Sequence, residues 1–220
     1  AGIGRESRRP GQRHAATRRT KGCSSALSIS VGSGRVRRAD HRSKRMPQME
    51  IANLFALGAR VGDKLVTRSE TIAVAESSAG GLISAALLSR AGASVYYFGA
   101  VLYTRRSFRL LTSLTADATI GMRSSSPPYA QLLARHQRTR FRTSWGLAET
   151  GAAGPTGNNY GDPAGHTCLA VDGQVNRERV LRTGQDDRAR NMITFAMAAL
   201  ELLDEAIDAA VGASPSDSAR

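Results

Sequence analysis

Two short segments of the chain hold residue types that can do chemistry. The first is Glu76-Ser77-Ser78-Ala79-Gly80-Gly81, and the second is Thr150-Gly151-Ala152-Ala153-Gly154-Pro155-Thr156-Gly157. In the first, the apolar run Thr71-Ile72-Ala73-Val74-Ala75 leads straight into Ser77, and the two glycines precede a helical pattern. Such a strand–turn–helix places Ser77 at the edge of a sheet. It also aims free backbone N–H groups at whatever binds there, either to hold a phosphate or to stabilise an oxyanion. The same residues suit a plain helix start capped by Ser77 or Ser78, and this segment alone favours the plainer reading. In the second segment, Gly151, Gly154, Gly157, Gly161 and Gly165 lie close together, with Pro155 and Pro163 among them. Glycine-rich backbone lets a ligand approach closely. The segment also follows an apolar run, where α/β folds place their sites. An ordinary surface loop is the competing reading, and the length of the segment argues against it.

Other chemistries find little support. The histidines His14, His41, His136 and His166 are scattered, and no pair has helical metal-ligand spacing. His136 and His166 are expected at the surface or in supporting positions. Cys23 and Cys168 suggest neither a disulfide framework nor a zinc site. No metal and no cofactor are expected.

The elements that position the two segments are legible from periodicity. Ile51, Leu54, Phe55, Leu57, Val61 and Leu65 recur at helical spacing and predict an amphipathic helix over 48–67. A buried strand follows at 71–75, then a helix from Gly80 to about Arg90. Tyr96–Tyr103 is rich in strand formers. Pro127-Pro128 opens a helix to about Arg138, with proline in the tolerated first turn. Trp145–Glu149 is expected as a strand ending in a glycine-rich loop over 151–161. His166–Val171 and Glu178–Arg182 are expected as a hairpin around Asp172-Gly173. Asp187–Ala210 is expected as a closing helix. Strands alternating with helices predict a single three-layer α/β domain, its sheet covered by helices on both faces.

Composition bounds the partners. Of the 31 Lys and Arg, 13 lie in residues 1–46 beside only Glu6 and Asp40, which leaves 18 basic and 16 acidic groups in the rest of the chain. The net charge of +13 therefore belongs to the N-terminal segment, and the remainder is nearly neutral. Nucleic-acid binding is not expected, except non-specifically through the basic tail. No apolar run is long enough to span a bilayer, so a soluble, cytoplasmic protein without a membrane partner is expected. Residues 1–45 carry no aromatic residue and are rich in Arg, Ser and Gly, a composition that predicts disorder. That segment is read either as an organelle transit peptide or as an extension upstream of a natural start at Met46 or Met49, and the second reading is favoured. The folded domain is expected over 46–211, with a disordered tail at 212–220. A homo-oligomer is a possible assembly.

Taken together, the motifs resemble the CinA C-terminal domain family. Ala75-Glu76-Ser77-Ser78-Ala79-Gly80-Gly81 resembles that family's A-E-S-C-T-G-G signature. Gly92-Ala93-Ser94 and the later Tyr103-Thr104 resemble its G-S-S and Y-S elements. Thr150–Gly157 resembles its T-G-I-A-G-P-x-G loop, and Asp162-Pro163-Ala164-Gly165-His166-Thr167 resembles K-P-V-G-T-V. Thr183–Arg188 is a looser echo of its G-D-R helix start. These elements occur in the family's order across about residues 48–210.

The resemblance implies a nicotinamide-nucleotide amidase. Such an enzyme hydrolyses the carboxamide of nicotinamide mononucleotide to nicotinate mononucleotide and ammonia, and no metal is implied. The family's nucleophile falls on Ser77 and its tyrosine on Tyr103. Candidate substrate-binding positions are Glu76, Gly80, Gly81, Arg105, Gly151, Ala153, Gly154, Pro155 and Gly157. Backbone N–H groups near Gly80 or in the 151–157 loop are the expected oxyanion donors. The family's essential lysine lies five residues after the tyrosine, and Phe108 stands there. A serine hydroxyl needs a base, which a desolvated lysine supplies and phenylalanine does not. Arg105, Arg106 and Arg109 remain protonated and suit a phosphate or an oxyanion instead. The alternative reading is a catalytically impaired member that binds a pyridine nucleotide. Phe108 also has a structural reading, packing in the core with Leu110 and Leu111.

Overall fold

The computed structural model describes residues 41–211, with side chains from 48 to 210. The expectations for residues 1–40 and 212–220 lie outside the described residues. The described residues form five α-helices, α1 (His41–Thr67), α2 (Leu82–Leu88), α3 (Phe108–Thr112), α4 (Pro127–Phe141) and α5 (Arg188–Val211), and five strands, with α3 and α4 consecutive and the last three strands consecutive. The strands are β1 (Ile72–Glu76), β2 (Tyr97–Leu102), β3 (Trp145–Ala152), β4 (His166–Asp172) and β5 (Arg177–Arg182). They form one sheet in the order β2-β1-β3-β4-β5. β1 runs parallel to both β2 and β3, while β3–β4 and β4–β5 are antiparallel.

Helices cover both faces of the sheet, as expected. On one face, Leu54, Leu57, Val61 and Leu65 of α1 and Phe195, Leu200 and Leu203 of α5 pack with α2 against Ile72, Val74, Trp145 and Leu147. Trp145 is fully buried, and its indole N–H donates to Glu70 at 2.7 Å. On the other face, Tyr129, Ala130, Leu133 and Ala134 of α4 pack against Ala75, Ala148, Cys168 and Ala170. Period-two alternation at the ends of β1 and β3 thus sends Glu76 and Glu149 toward the α2 side, with Ala75 and Ala148 on the other.

Several boundaries differ from the expected ones. α1 begins at His41, upstream of the expected domain start at Met46. α2 starts at Leu82 rather than Gly80, because Gly80 and Gly81 hold φ of 69° and 94°, outside the helical region. β3 continues past Glu149 to Ala152, pairing Gly151 with Thr167, so the glycine-rich loop is shorter than expected. The short helix α3 was not evident from the sequence, since five residues are too few to show a period.

Candidate active site

The topology brings the two segments together. β1, β2 and β3 are neighbours and parallel, with Glu76 beside Leu102 and Ala75 beside Ala148. Their C-terminal ends therefore open at one edge of the sheet. A cleft of about 770 Å³ lies there. It is lined by Ser77 and Ser78 after β1, by Tyr103 to Arg106 after β2, and by Thr150 to Gly154 at the end of β3. Phe108 and Arg109 of α3, Tyr129 of α4 and Arg188 of α5 complete the wall, with Thr156 to Tyr160 on the far side.

Of the residues singled out in the sequence, Ser77, Tyr103, Arg105, Gly151, Ala153, Gly154 and Gly157 line this cleft. Glu76, Gly80, Gly81 and Pro155 do not. Glu76 is fully buried beneath the turn, and its carboxylate caps α2. It accepts the N–H groups of Gly81 at 2.8 Å, Ile83 at 3.2 Å and Ser84 at 2.7 Å, together with the Ser84 hydroxyl. Burial, reinforced by the nearby Glu149, raises the Glu76 pKa above its ordinary value despite those donors.

The expectation of free N–H groups near Gly80 is corrected by these bonds. The donors at Gly81, Ile83 and Ser84 are taken by Glu76. Those at Ser77 and Ala79 are taken by Glu149, at 3.1 and 2.8 Å. Among the described residues, the backbone N–H groups of Ser78, Ala153 and Gly154 donate to nothing within the chain and border the cleft. The glycines of the second segment likewise serve mainly the fold. A Cβ at Gly151 would lie 2.2 Å from the His166 carbonyl oxygen, and one at Gly157 would lie 2.1 Å from that of Asp162.

The two serines differ. The Ser78 hydroxyl donates to Glu149. No hydrogen bond joins the Ser77 hydroxyl to any described residue, and Ser77 is only partly buried at the cleft wall. Tyr103 is 5% exposed, and its hydroxyl makes no hydrogen bond, although Tyr129 and Thr150 lie near it. Burial, together with the neighbouring Tyr129, pushes the Tyr103 phenol well above its ordinary value. It is therefore an O–H donor at neutral pH, not a base. Burial also raises Tyr129, to about 12.

The cleft is electropositive. Arg105, Arg106, Arg109 and Arg188 line it, and among the described residues no carboxylate, amine or imidazole does. Arg188 donates to the Gly154 carbonyl at 2.8 Å, and Arg105 lies over the Tyr160 ring at 5.9 Å. Phe108 is half-buried in the wall. It packs against the edge of the second core cluster through Tyr103 and Tyr129, with ring centroids 5.3 and 5.5 Å away, while Leu110 and Leu111 are 84% and 43% exposed.

The far wall is tied down from behind. Asp162 pairs with Arg123 at 2.5 Å and accepts from Asn158 at 2.8 Å. His166 takes the supporting one of its two expected places, buried behind the wall. Its Nε2 lies 3.0 Å from the Ser125 carbonyl and 3.5 Å from Asp162. Cys168 is fully buried beside it, and burial raises its thiol to about 11, so it is not a nucleophile for the cleft. Among the described residues no three His, Cys, Asp or Glu side chains gather as a metal would require.

Sequence reasoning missed Glu149 and gave no role to Arg188 or Tyr129. Glu149 carried one signal, an acid at the end of an otherwise apolar strand, which must be paired or hydrogen-bonded if buried.

Comparisons with known proteins agree on the fold. The model of the family described as the CinA C-terminal domain matches residues 55–207. CinA-like proteins of Anaeromyxobacter dehalogenans (strain 2CP-C) and Anaeromyxobacter sp. (strain Fw109-5) are each 36% identical, over 141 and 148 residues. These alignments cover 64% and 67% of this chain but only 35% and 36% of the relatives, so the chain spans about a third of their length. Among solved structures, a CinA superfamily protein from Klebsiella pneumoniae aligns with a TM-score of 0.65 at 23% identity, covering 71% of this chain and 98% of that one. A competence/damage inducible protein from Agrobacterium tumefaciens aligns with a TM-score of 0.64 at 25% identity, covering 70% and 95%.

Proposed function

The chain belongs to the CinA C-terminal domain family, and from that premise we propose that it is a cytoplasmic amidohydrolase acting slowly on nicotinamide mononucleotide. The observation that carries this reading is the lining of the cleft. A serine with an uncommitted hydroxyl shares the lining with a buried tyrosine O–H and four arginines, and no acid of the described residues is among them. The arginines suit the phosphate of a mononucleotide, which guanidinium groups bind bidentately. The half-buried ring of Phe108 in the cleft wall suits the cationic pyridinium ring.

In the proposed reaction the Ser77 Oγ attacks the carboxamide carbon, and an Oγ–C bond forms. The N–H groups of Ser78, Ala153 and Gly154 are the available oxyanion donors. The Tyr103 O–H donates to the substrate amide or to the departing nitrogen. As the C–N bond breaks, the proton that Ser77 loses passes through water in the cleft to the departing nitrogen, which leaves as ammonia. Water then attacks the acyl-enzyme, giving nicotinate mononucleotide and returning a proton to the Ser77 Oγ. Among the described residues, no side chain lining the cleft is a ready acceptor for the Ser77 proton. A positioned base is worth about 10²–10⁴-fold in rate, so turnover is expected to be lower by that order than in a member with the lysine.

The same lack of a base favours a second reading, a module that binds a pyridine nucleotide without turning it over. Calorimetry and ammonia release, both with nicotinamide mononucleotide and the full chain, separate the two. Binding with slow ammonia release supports the amidohydrolase, and binding without it supports the module. Absence of binding contradicts both.

A further inference from the structure

We propose that Glu149 is the positioning residue for Ser77, a role that rests on the amidohydrolase reading above. Glu149 is fully buried. Its Oε2 accepts the backbone N–H groups of Ser77 at 3.1 Å and Ala79 at 2.8 Å. Its Oε1 accepts the Ser78 hydroxyl and the Thr167 hydroxyl, the latter at 2.8 Å. No cation is among these partners. A buried carboxylate without a counter-ion is costly unless its lone pairs are filled by fixed donors. Here four donors fill them, and three come from consecutive residues of one turn.

This arrangement distinguishes two adjacent serines of identical chemistry. Glu149 accepts the hydrogen bond that the Ser78 hydroxyl donates and anchors the backbone on either side of it. That leaves Ser77, whose own amide is pinned from beneath, with its hydroxyl uncommitted at the cleft wall. The anchoring also explains how a turn with two left-handed glycines after it holds one shape. Glu76 secures the helix end of the turn and Glu149 its serine end, from adjacent parallel strands. Thr167 on β4 completes the support, so the position of Ser77 is set by three strands at once.

The test is Glu149→Gln in the full chain, since an amide of the same shape offers one acceptor where the carboxylate offers two. Amide exchange at Ser77 and Ala79 is expected to rise about tenfold, the scale of one lost hydrogen bond, while amides of β1 and β3 keep their protection. Ammonia release from nicotinamide mononucleotide is expected to fall on the order of 10²-fold in kcat, as for a misplaced reacting group, with KM within about twofold. If Glu149→Gln does not fold, Ser78→Ala removes one of the four donors, and a smaller rise in Ser77 exchange is the expected result. Equal exchange at Ser77 in wild type and variant overturns the proposal. So does loss of protection throughout the sheet, or an unchanged kcat beside raised exchange. If wild type releases no ammonia at all, the amidohydrolase reading fails by itself. The exchange measurement then decides alone whether Glu149 holds the turn.

Discussion

The ring of Phe108 stands edge-on to the ring of Tyr103, with centroids 5.3 Å apart and planes inclined at 62°. On the family resemblance Phe108 occupies the place of an amine base, and it sits in the cleft wall rather than in the deep core. Phe108→Lys is therefore expected to fold and to raise ammonia release by about 10²-fold or more. The double variant Ser77→Ala/Phe108→Lys should return to background. A folded Phe108→Lys protein no more active than wild type would contradict the lysine-replacement argument.

The two serines should separate by stability. The Ser77 hydroxyl bonds to no described residue, so Ser77→Ala should leave stability within about 0.5 kcal/mol of wild type. Ser78→Ala removes a donor from a buried carboxylate, which costs about 1–3 kcal/mol. Urea denaturation of both variants checks this, and equal effects would show that Glu149 does not discriminate between them.

The four arginines should give nucleotide binding a salt dependence. Loss of one charge-assisted contact is worth about 1.5–3 kcal/mol, so Arg105→Ala is expected to weaken nicotinamide mononucleotide about tenfold or more while leaving the fold intact. Calorimetry at two salt concentrations measures both effects. Affinity that is indifferent to salt and to Arg105 would place the phosphate elsewhere.

Much of this was legible in the residues themselves. The helical stripe Leu54, Leu57, Val61 and Leu65 proved to be core, although Phe55, on the same pattern, is 38% exposed. The two segments around Ser77 and Gly151 stood out by composition, and they meet because β1 and β3 are parallel neighbours. What the sequence concealed is which groups are already spent. Glu76, a candidate site residue in the sequence, caps a helix, and Gly151 and Gly157 both line the cleft and relieve contacts with His166 and Asp162. Hydrogen-bond partners about 70 residues apart, or on adjacent strands, leave no local pattern. That is why Glu149 was passed over.

Asp162 supplies a pH signature. Burial alone would raise its pKa, but the bonds from Arg123 and Asn158 and the neighbouring His166 outweigh it and hold the group below its ordinary 3.8. Its contribution to stability is therefore full above that ordinary value and is lost as pH falls through the lower folded value. Asp162→Asn is expected to be less stable than wild type at neutral pH, with the gap closing below about pH 3.8. Thermal melts of both proteins across that range test this, and a gap independent of pH would mean the ion pair contributes nothing through its charge.

The most direct measurement is ammonia release from nicotinamide mononucleotide by the purified full chain, run beside its Ser77→Ala variant. Slow release is expected, one ammonia for each nicotinate mononucleotide formed, and it should disappear in Ser77→Ala. Release no greater from wild type than from Ser77→Ala would contradict amide hydrolysis at Ser77.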